Sequence, residues 1–420
     1  MKRTMRSIGA ALLGLVLGAC GGNADKLIPG YSASQGQVFD ANGEAVQLRG
    51  INLFGFDSAI LIPQSLDVMG WKQQIQQVKD LGFNAVRLPF VPETLYSTQR
   101  IGVDLDTFVE PTLNADIIGK TPLEFLDLWM READRQGLYV VLDFHSVAKG
   151  VLYPLWYSLD ASDYATGGAA PTYNGAAYSA DDWVRDLVFV ARRYAYMGNL
   201  VGIDLYNEPN GAARWGEGDA NYVAAADWKL AAERAAQAVI DTNPRLLVFV
   251  QGIYLNNDGI ENRTLGINYG ENLQAQAYRP LAIAADKLVL FPHTYGPDAL
   301  YSTPKAEFAA ANFPANLPAA WETLFGQFQG SATGTAPAAP TQAIYTVILG
   351  EFGGYYGVGP SGEQDVIWQD ALVDYLIGKN MRSAFYWCYS PNSDGTGGIL
   401  ADDLSVREDK MAMLRRLFGT

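Results

Sequence analysis

Residues 139–145 read YVVLDFH and residues 287–293 read KLVLFPH, two apolar runs that each end on a histidine. No other histidine exists in the 420 residues. Three more runs of this kind carry polar or titratable groups near their ends: Arg87 in NAVRLPF (84–90), Asn207 and Glu208 in VGIDLYNEP (201–209), and Glu351 in TVILGEFGG (346–354). Strands that are apolar along their length are buried on both faces, and polar residues gathered at their carboxyl ends are how a (β/α)8 barrel presents its chemistry.

Working outward, eight strands are predicted at residues 46–52, 84–89, 139–145, 200–207, 245–251, 287–293, 345–351 and 382–387. Helical periodicity lies between them, over residues 71–81, 122–136, 181–196, 227–241 and 363–377. Strand and helix alternating eight times predict an α/β fold, a single closed (β/α)8 TIM barrel. An open doubly wound sheet is disfavoured, because no GxGxxG turn follows the first strand. Ahead of the barrel, GQVFDANGEAVQL (36–48) predicts a hairpin turning at Asn42-Gly43 and overlapping the first barrel strand. Residues 160–180, rich in Ala, Gly, Ser and Tyr, and the low-complexity residues 330–342 break the rhythm and read as extended loops.

A formal charge of −15 excludes the basic footprint that nucleic acid or an anionic membrane surface would need. Neutral ligands suit such a chain better, and its 23 Tyr, 18 Phe and 9 Trp suit a carbohydrate, although most aromatic side chains are core in any protein. There is no CxxC or HExxH, and two distant histidines make a poor zinc site, so no metal and no cofactor are expected.

At the N-terminus, Lys2, Arg3 and Arg6 precede an apolar stretch over residues 8–16 that is too short to span a bilayer. Leu17-Gly18-Ala19-Cys20 then resembles a bacterial lipobox, with a Gly21-Gly22-Asn23 tether behind it. The expected organisation is a lipoprotein signal peptide at 1–19, a tether at 20–30 and one barrel domain at 31–420. Lipid on Cys20 would place the protein in the cell envelope, with Gly21 rather than Asp pointing to the outer membrane, unless it is released outside the cell. Membrane contact would be through that anchor alone. Cys388 would then be the one remaining thiol, a small buried hydrophobe, and a monomer without disulfides is expected.

The motifs RGINLFGF (49–56), NAVRLPF, LDFH (142–145), LYNEPNG (205–211), WKLAAERA (228–235), FPHTYGP (291–297), LGEFGG (349–354) and FYWCYSPNSDGTGGIL (385–400) together resemble glycoside hydrolase family 5, the cellulase family, and especially its bacterial endo-β-1,4-glucanases. Eight motifs in family order, over nearly the whole mature chain, carry the likeness. It implies a retaining glycosidase in which Glu208 is the general acid/base and Glu351 the nucleophile. Arg87 and Tyr295 match the positions that hold the nucleophile, and Asn207 the one that binds the sugar 2-hydroxyl. His145 and His293 match the two histidines that bind sugar hydroxyls and order the carboxylates, and Trp387 the stacking platform beside the scissile bond. Trp156, Tyr157 and Trp215 are possible outer-subsite platforms. Leu53 stands where many members carry Trp, and residues 61–70 replace an aromatic-rich loop, so the substrate is less marked than the chemistry. Asp402-Asp403 reads as a solvated loop rather than a calcium site. The expected partner is a polysaccharide or oligosaccharide, a β-1,4-glucan first. The alternatives are mannan, xyloglucan or mixed-linkage glucan by the same mechanism, or a carbohydrate-binding lipoprotein without catalysis.

Overall fold

Three short strands, β1 (Ser32–Ser34), β2 (Gln37–Phe39) and β3 (Ala45–Val46), open the chain as an antiparallel sheet. The structure is a computed structural model that describes residues 30–158, 172–173, 176–218, 222–256, 259–262, 264–299, 305–330, 345–391, 393 and 395–420. Cys20, the predicted signal, the tether up to residue 29, most of the 160–180 loop and nearly all of the 330–342 loop lie outside those residues.

Strand and helix then alternate: β4 (Arg49–Asn52), α1 (Trp71–Asp80), β5 (Ala85–Phe90), α2 (Pro92–Tyr96), α3 (Pro122–Gln136) and β6 (Tyr139–Phe144). A small ribbon follows, β7 (Thr172–Tyr173) and β8 (Ala176–Ala177), then α4 (Ala180–Arg193), β9 (Leu200–Asp204), α5 (Trp228–Thr242) and β10 (Leu247–Val250). The last third holds β11 (Leu288–Leu290), β12 (His293–Tyr295), α6 (Leu317–Leu324), β13 (Thr346–Val347), β14 (Leu349–Gly353), α7 (Glu363–Gly378), β15 (Ala384–Tyr386) and α8 (Glu408–Phe418).

The large sheet runs β12-β14-β15-β4-β5-β6-β9-β10-β11-β13, with every pairing parallel. Its two ends are the same neighbours: β11 and β12 are halves of one strand, β13 and β14 of the next. The sheet therefore closes into an eight-stranded (β/α)8 barrel. The sixth strand breaks at Phe291-Pro292, where proline has no N–H to give the ladder. All eight strands lie where the sequence predicted them. One edge moved, because Val46 pairs back onto Val38 in the N-terminal sheet and the first barrel strand begins only at Arg49.

Local signals explain the best-defined helices. In α3, Thr121 accepts from the Glu124 N–H while the Glu124 carboxylate accepts from the Thr121 N–H, Pro122 takes the first helical position, and Gly137 ends the helix at φ 73°. Ser179 and Asp182 repeat the reciprocal cap on α4. The amphipathic faces of these helices cover the outside of the barrel in one continuous apolar layer that includes Trp129, Trp183 and Trp228.

A second, inner core fills the barrel's N-terminal half: Phe249, Phe291 and Phe385 point inward, with ring centroids 4.8 Å apart for the first pair and 5.5 Å for the second. Room for them comes from glycines in neighbouring strands. A Cβ on Gly50 would lie 2.2 Å from Phe385, and one on Gly202 would lie 2.7 Å from Phe249. Tyr31, Ala33 and Val38 close this end like a stopper, tied down by the Tyr31 N–H to the Arg245 carbonyl at 2.8 Å and the Ala33 N–H to the Asp286 carbonyl at 2.9 Å. The open mouth is thus the one formed by the carboxyl ends of the strands. No helix among the described residues is long and apolar enough to cross a membrane.

Candidate active site

Seven of the eight strand ends deliver polar side chains to the open mouth, and Arg87 on β5 lies fully buried at their centre. Its Nη1 donates to Glu351 Oε1 at 2.5 Å and to Asn52 Oδ1 at 3.0 Å. Nε and Nη2 donate to Asp204 Oδ2 at 3.0 and 2.8 Å, and Nη2 also reaches Asn207 Oδ1 at 2.9 Å and Asp143 Oδ2 at 3.0 Å. Burial works against the guanidinium's charge, but three carboxylates around it more than compensate and keep it protonated. A guanidinium fork is the group that can serve several fixed oxygens at once.

Glu208 and Glu351 face one another with His293 between them. His293 Nδ1 is 3.1 Å from Glu208 Oε1 and 3.4 Å from Glu351 Oε2, and facing atoms of the three side chains all lie within 4.8 Å of one another. Tyr295 donates its hydroxyl to Glu351 Oε2 at 2.6 Å. Both oxygens of Glu351 are therefore engaged, by Arg87 and by Tyr295. Although a Glu-His-Glu set at this spacing has donor atoms for a divalent ion, Arg87 already sits on one of the carboxylates as its cation.

The environments of the two carboxyls differ. Burial, and then the charge of Glu351, drive the Glu208 pKa well above the carboxylate range. Burial also raises that of Glu351, but Arg87, His145 and the Tyr295 hydroxyl pull it back. Of the pair, Glu208 is the one that keeps a proton. Burial, with Arg87 and His145 nearby, holds His293 neutral by lowering its pKa well below 6.5. Burial and the two glutamates keep Tyr295 a phenol.

His145 departs from its expected place. It touches neither glutamate: Nδ1 meets Asp143 Oδ2 at 2.6 Å, Nε2 lies 3.9 Å from Asp57, and the ring lies nearly parallel to Trp387 at 6.1 Å. Burial opposes its charge, yet Asp143 and Asp57 push its pKa up to about 9. Of the two histidines, it is His293 that contacts the carboxylates. Trp387 follows β15, half-buried, with its indole N–H on Ser393 Oγ at 2.6 Å and its ring parallel to Phe54 at 5.6 Å.

Two of the expected outer platforms are corrected. Trp156 is 1% exposed and packs among Trp183, Trp228 and Tyr206, and Trp215 is fully buried with its indole N–H on the Arg279 carbonyl at 2.9 Å. Neither has a face free for a sugar. Tyr157 is half-buried and lines a cavity of about 450 Å³ with Ser158, Tyr178 and Arg234, and no group of the Glu208–Glu351 cluster lines it. Leu53 is buried as well, and Phe54 is the aromatic that reaches Trp387. Cys388 is a buried free thiol, its pKa raised to about 12 by burial. Asp403 caps its own turn by accepting from Ser405, as a loop residue would.

Four participants escaped sequence reasoning: Asn52, Asp143, Asp204 and Gln251. All are fully buried polar residues at or near strand ends. The available signal was period-2 alternation, since Asp143 precedes His145 by two residues and Asp204 occupies an inward position of an otherwise apolar strand.

The comparisons agree with this geometry. The model for cellulase, glycosyl hydrolase family 5, matches residues 39–393, and the chain belongs to that family. It is similar to the major extracellular endoglucanase of Xanthomonas campestris pv. campestris, 42% identical over 385 residues that cover 91% of this chain and 70% of that one. An endoglucanase of Paenibacillus polymyxa is 31% identical, covering 99% of this chain and 95% of the relative. Among solved structures, the catalytic domain of the Xanthomonas enzyme superposes with a TM-score of 0.79 at 41% identity, over 93% of this chain and 100% of that one. A cellotetraose complex of an endocellulase from Pyrococcus horikoshii gives 0.77 at 31% identity, over 92% and 98%.

Proposed function

We propose that this protein is an endo-acting, retaining β-1,4-glucanase that cleaves cellulose-like chains by double displacement. The observation that carries the reading is the facing pair Glu208 and Glu351, within 4.8 Å at their nearest atoms, one desolvated and the other held by a guanidinium and a phenol. Retaining glycosidases set their carboxyls about 5–5.5 Å apart, whereas inverting ones leave about 6.5 Å or more for a water. Endoglucanases among the relatives, and cellotetraose bound by one of them, support a β-1,4-glucan as the substrate.

In this mechanism Glu351 attacks the anomeric carbon while Glu208 passes its proton to the departing glycosidic oxygen. Glu208, now a carboxylate, then takes a proton from water, and that water displaces Glu351 from the sugar. Arg87 keeps the nucleophile ionised, Tyr295 fixes its orientation, and Asn207, held by Arg87, offers its amide to the sugar 2-hydroxyl. His145 and His293 line the mouth, and Trp387 lies beneath the sugar next to the scissile bond. The mechanism calls for no metal or cofactor, and prolonged chelation should leave turnover unchanged.

Azide chemistry tests the roles. Glu351→Gly vacates the nucleophile's face, and azide entering there converts an activated β-glycoside to the α-glycosyl azide. Glu208→Ala still forms the covalent intermediate from a good leaving group, and azide intercepts it to give the β product. Swapped stereochemistry would reverse the assignment, and loss of both rescues in folded variants would remove double displacement.

At the N-terminus, the reading is a signal peptide over residues 1–19 that delivers the barrel domain out of the cytoplasm with lipid on Cys20. The extracellular Xanthomonas relative supports export. Fatty-acid labelling that persists in Cys20→Ala would sink the anchor.

A further inference from the structure

We propose that Gln251 and Asp204 form a buried strut that positions Glu208 against Glu351. The inference rests on the proposed assignment of Glu208 as the acid/base. Gln251 follows β10, is fully buried, and uses both ends of its amide. Its Oε1 accepts the backbone N–H of Glu208 at 2.8 Å, and its Nε2 donates to Asp204 Oδ2 at 2.7 Å. The Glu208 N–H requires an acceptor, so the orientation of this amide is fixed. The same Asp204 oxygen accepts from Arg87, whose other nitrogen holds Glu351. One line of hydrogen bonds thus runs from Glu351 through Arg87, Asp204 and Gln251 to the main chain of Glu208.

Glu208 needs such support. Its φ is +52°, in the left-handed region that non-glycine residues seldom enter unless their surroundings hold them there. On the other side of its backbone, Asn210 donates to the Glu208 carbonyl at 2.8 Å. Gly270 makes the approach possible: a Cβ there would lie 2.6 Å from Gln251 Oε1 and 3.4 Å from Glu208 Cγ. Gln251 is itself pinned, since its carbonyl accepts from the Trp228 indole at 2.9 Å and the next N–H, from Gly252, bonds the Gly270 carbonyl at 2.9 Å. Gln251 and Asp204 are positioning residues here. Their effect is exerted through the acid's place, so it should be felt most where the acid matters most.

Leaving-group dependence reads this out. A general acid is worth roughly 10²–10⁴-fold with a poor leaving group and much less with a good one, and an error of about 1 Å in placing a reacting group costs on the order of 10²-fold. For wild type, Gln251→Met and Gln251→Glu, kcat/KM is measured on phenyl and on 2,4-dinitrophenyl β-cellobioside. The ratio of the two values does not depend on what fraction of a variant folds. Gln251→Met, of similar volume and without either hydrogen bond, should lose about tenfold to a hundredfold more on the phenyl substrate than on the dinitrophenyl one. Gln251→Glu, which in its protonated form keeps both an oxygen for the Glu208 N–H and an O–H for Asp204, should restore most of the ratio. Equal losses on both substrates in Gln251→Met, or no loss on either, would overturn the strut. Glu208→Ala is the control: if its ratio moves and that of Gln251→Met does not, only the strut fails. If its ratio does not move, the assignment of the acid fails and the strut falls with it.

Discussion

The two mouths of the barrel are built by the same eight strands and do opposite things. At the N-terminal mouth, Tyr31, Ala33 and Val38 seal an interior of Val141, Val201, Leu247, Phe249 and Phe385. A few residues further along, the same strands turn polar, and Arg87, Asp143, Asp204, Asn207, His293 and Glu351 occupy the interior instead. The apolar end is held by packing and needs no particular partner for any one side chain. The polar end is buried almost as deeply and is tolerable only because each charge has a partner, so its energetics hinge on single residues.

The comparison is broken most directly at Arg87. Arg87→Met keeps the bulk but leaves Asp204 and Glu351 without their cation and Asp143 with His145 alone. Removing one partner of a buried ion pair costs about 3–5 kcal/mol, and loss of the group that holds the nucleophile should lower kcat/KM by roughly 10³-fold or more. Urea denaturation and steady-state kinetics on the same preparation check both. Intact activity would mean that the guanidinium is structural only.

At the other mouth, Leu48→Ala should separate the two quantities. Leu48 is fully buried against the N-terminal sheet. The substitution should cost about 2–5 kcal/mol, while kcat/KM at a temperature where the variant stays folded changes less than about twofold. A drop in activity comparable to that of Arg87→Met would show that the plug also sets the geometry of the far end.

A smaller effect is expected at His145. Its folded-state pKa of about 9 lies above the ordinary 6.5, so its proton stabilises the native state. That contribution is fully present below pH 6.5 and lost as pH rises through 9. Burial pushes the Asp204 carboxyl up against the pull of Arg87, an effect common to both proteins, so the difference between wild type and His145→Gln isolates the histidine. The gap in Tm should be widest near pH 6 and close above pH 9. A gap independent of pH would mean that His145 is neutral in the fold.

How far this was readable from sequence follows the same division. The strands announced themselves because parallel barrel strands are apolar on both faces, and α3 through its helical periodicity over residues 122–136. Strand ends supplied Arg87, Glu208, His293 and Glu351. Exposure was not legible: Trp156 and Trp215 looked like platforms, and only the packed helices show that they are core. The partners of Arg87 were hidden too, since Asp143, Asp204 and Asn52 lie on three different strands and meet only when the barrel closes.

The smallest effect is expected at Trp387, where the two regimes meet. Its ring is half-buried, held at one edge by Ser393 Oγ and aligned with Phe54 and His145, so it is already in place before a sugar arrives. Stacking of this kind is worth about 0.5–1.5 kcal/mol beyond the area it covers, and Trp387→Ala should therefore lower kcat/KM on cellotetraose roughly threefold to tenfold. Trp387→Phe retains a ring but has no N–H for Ser393, and should recover part of the loss. Because the indole is not part of the inner core, the Tm of both variants should stay near that of wild type. A large fall in Tm with activity per folded molecule unchanged would move Trp387 from the polar mouth's account to that of the packed barrel.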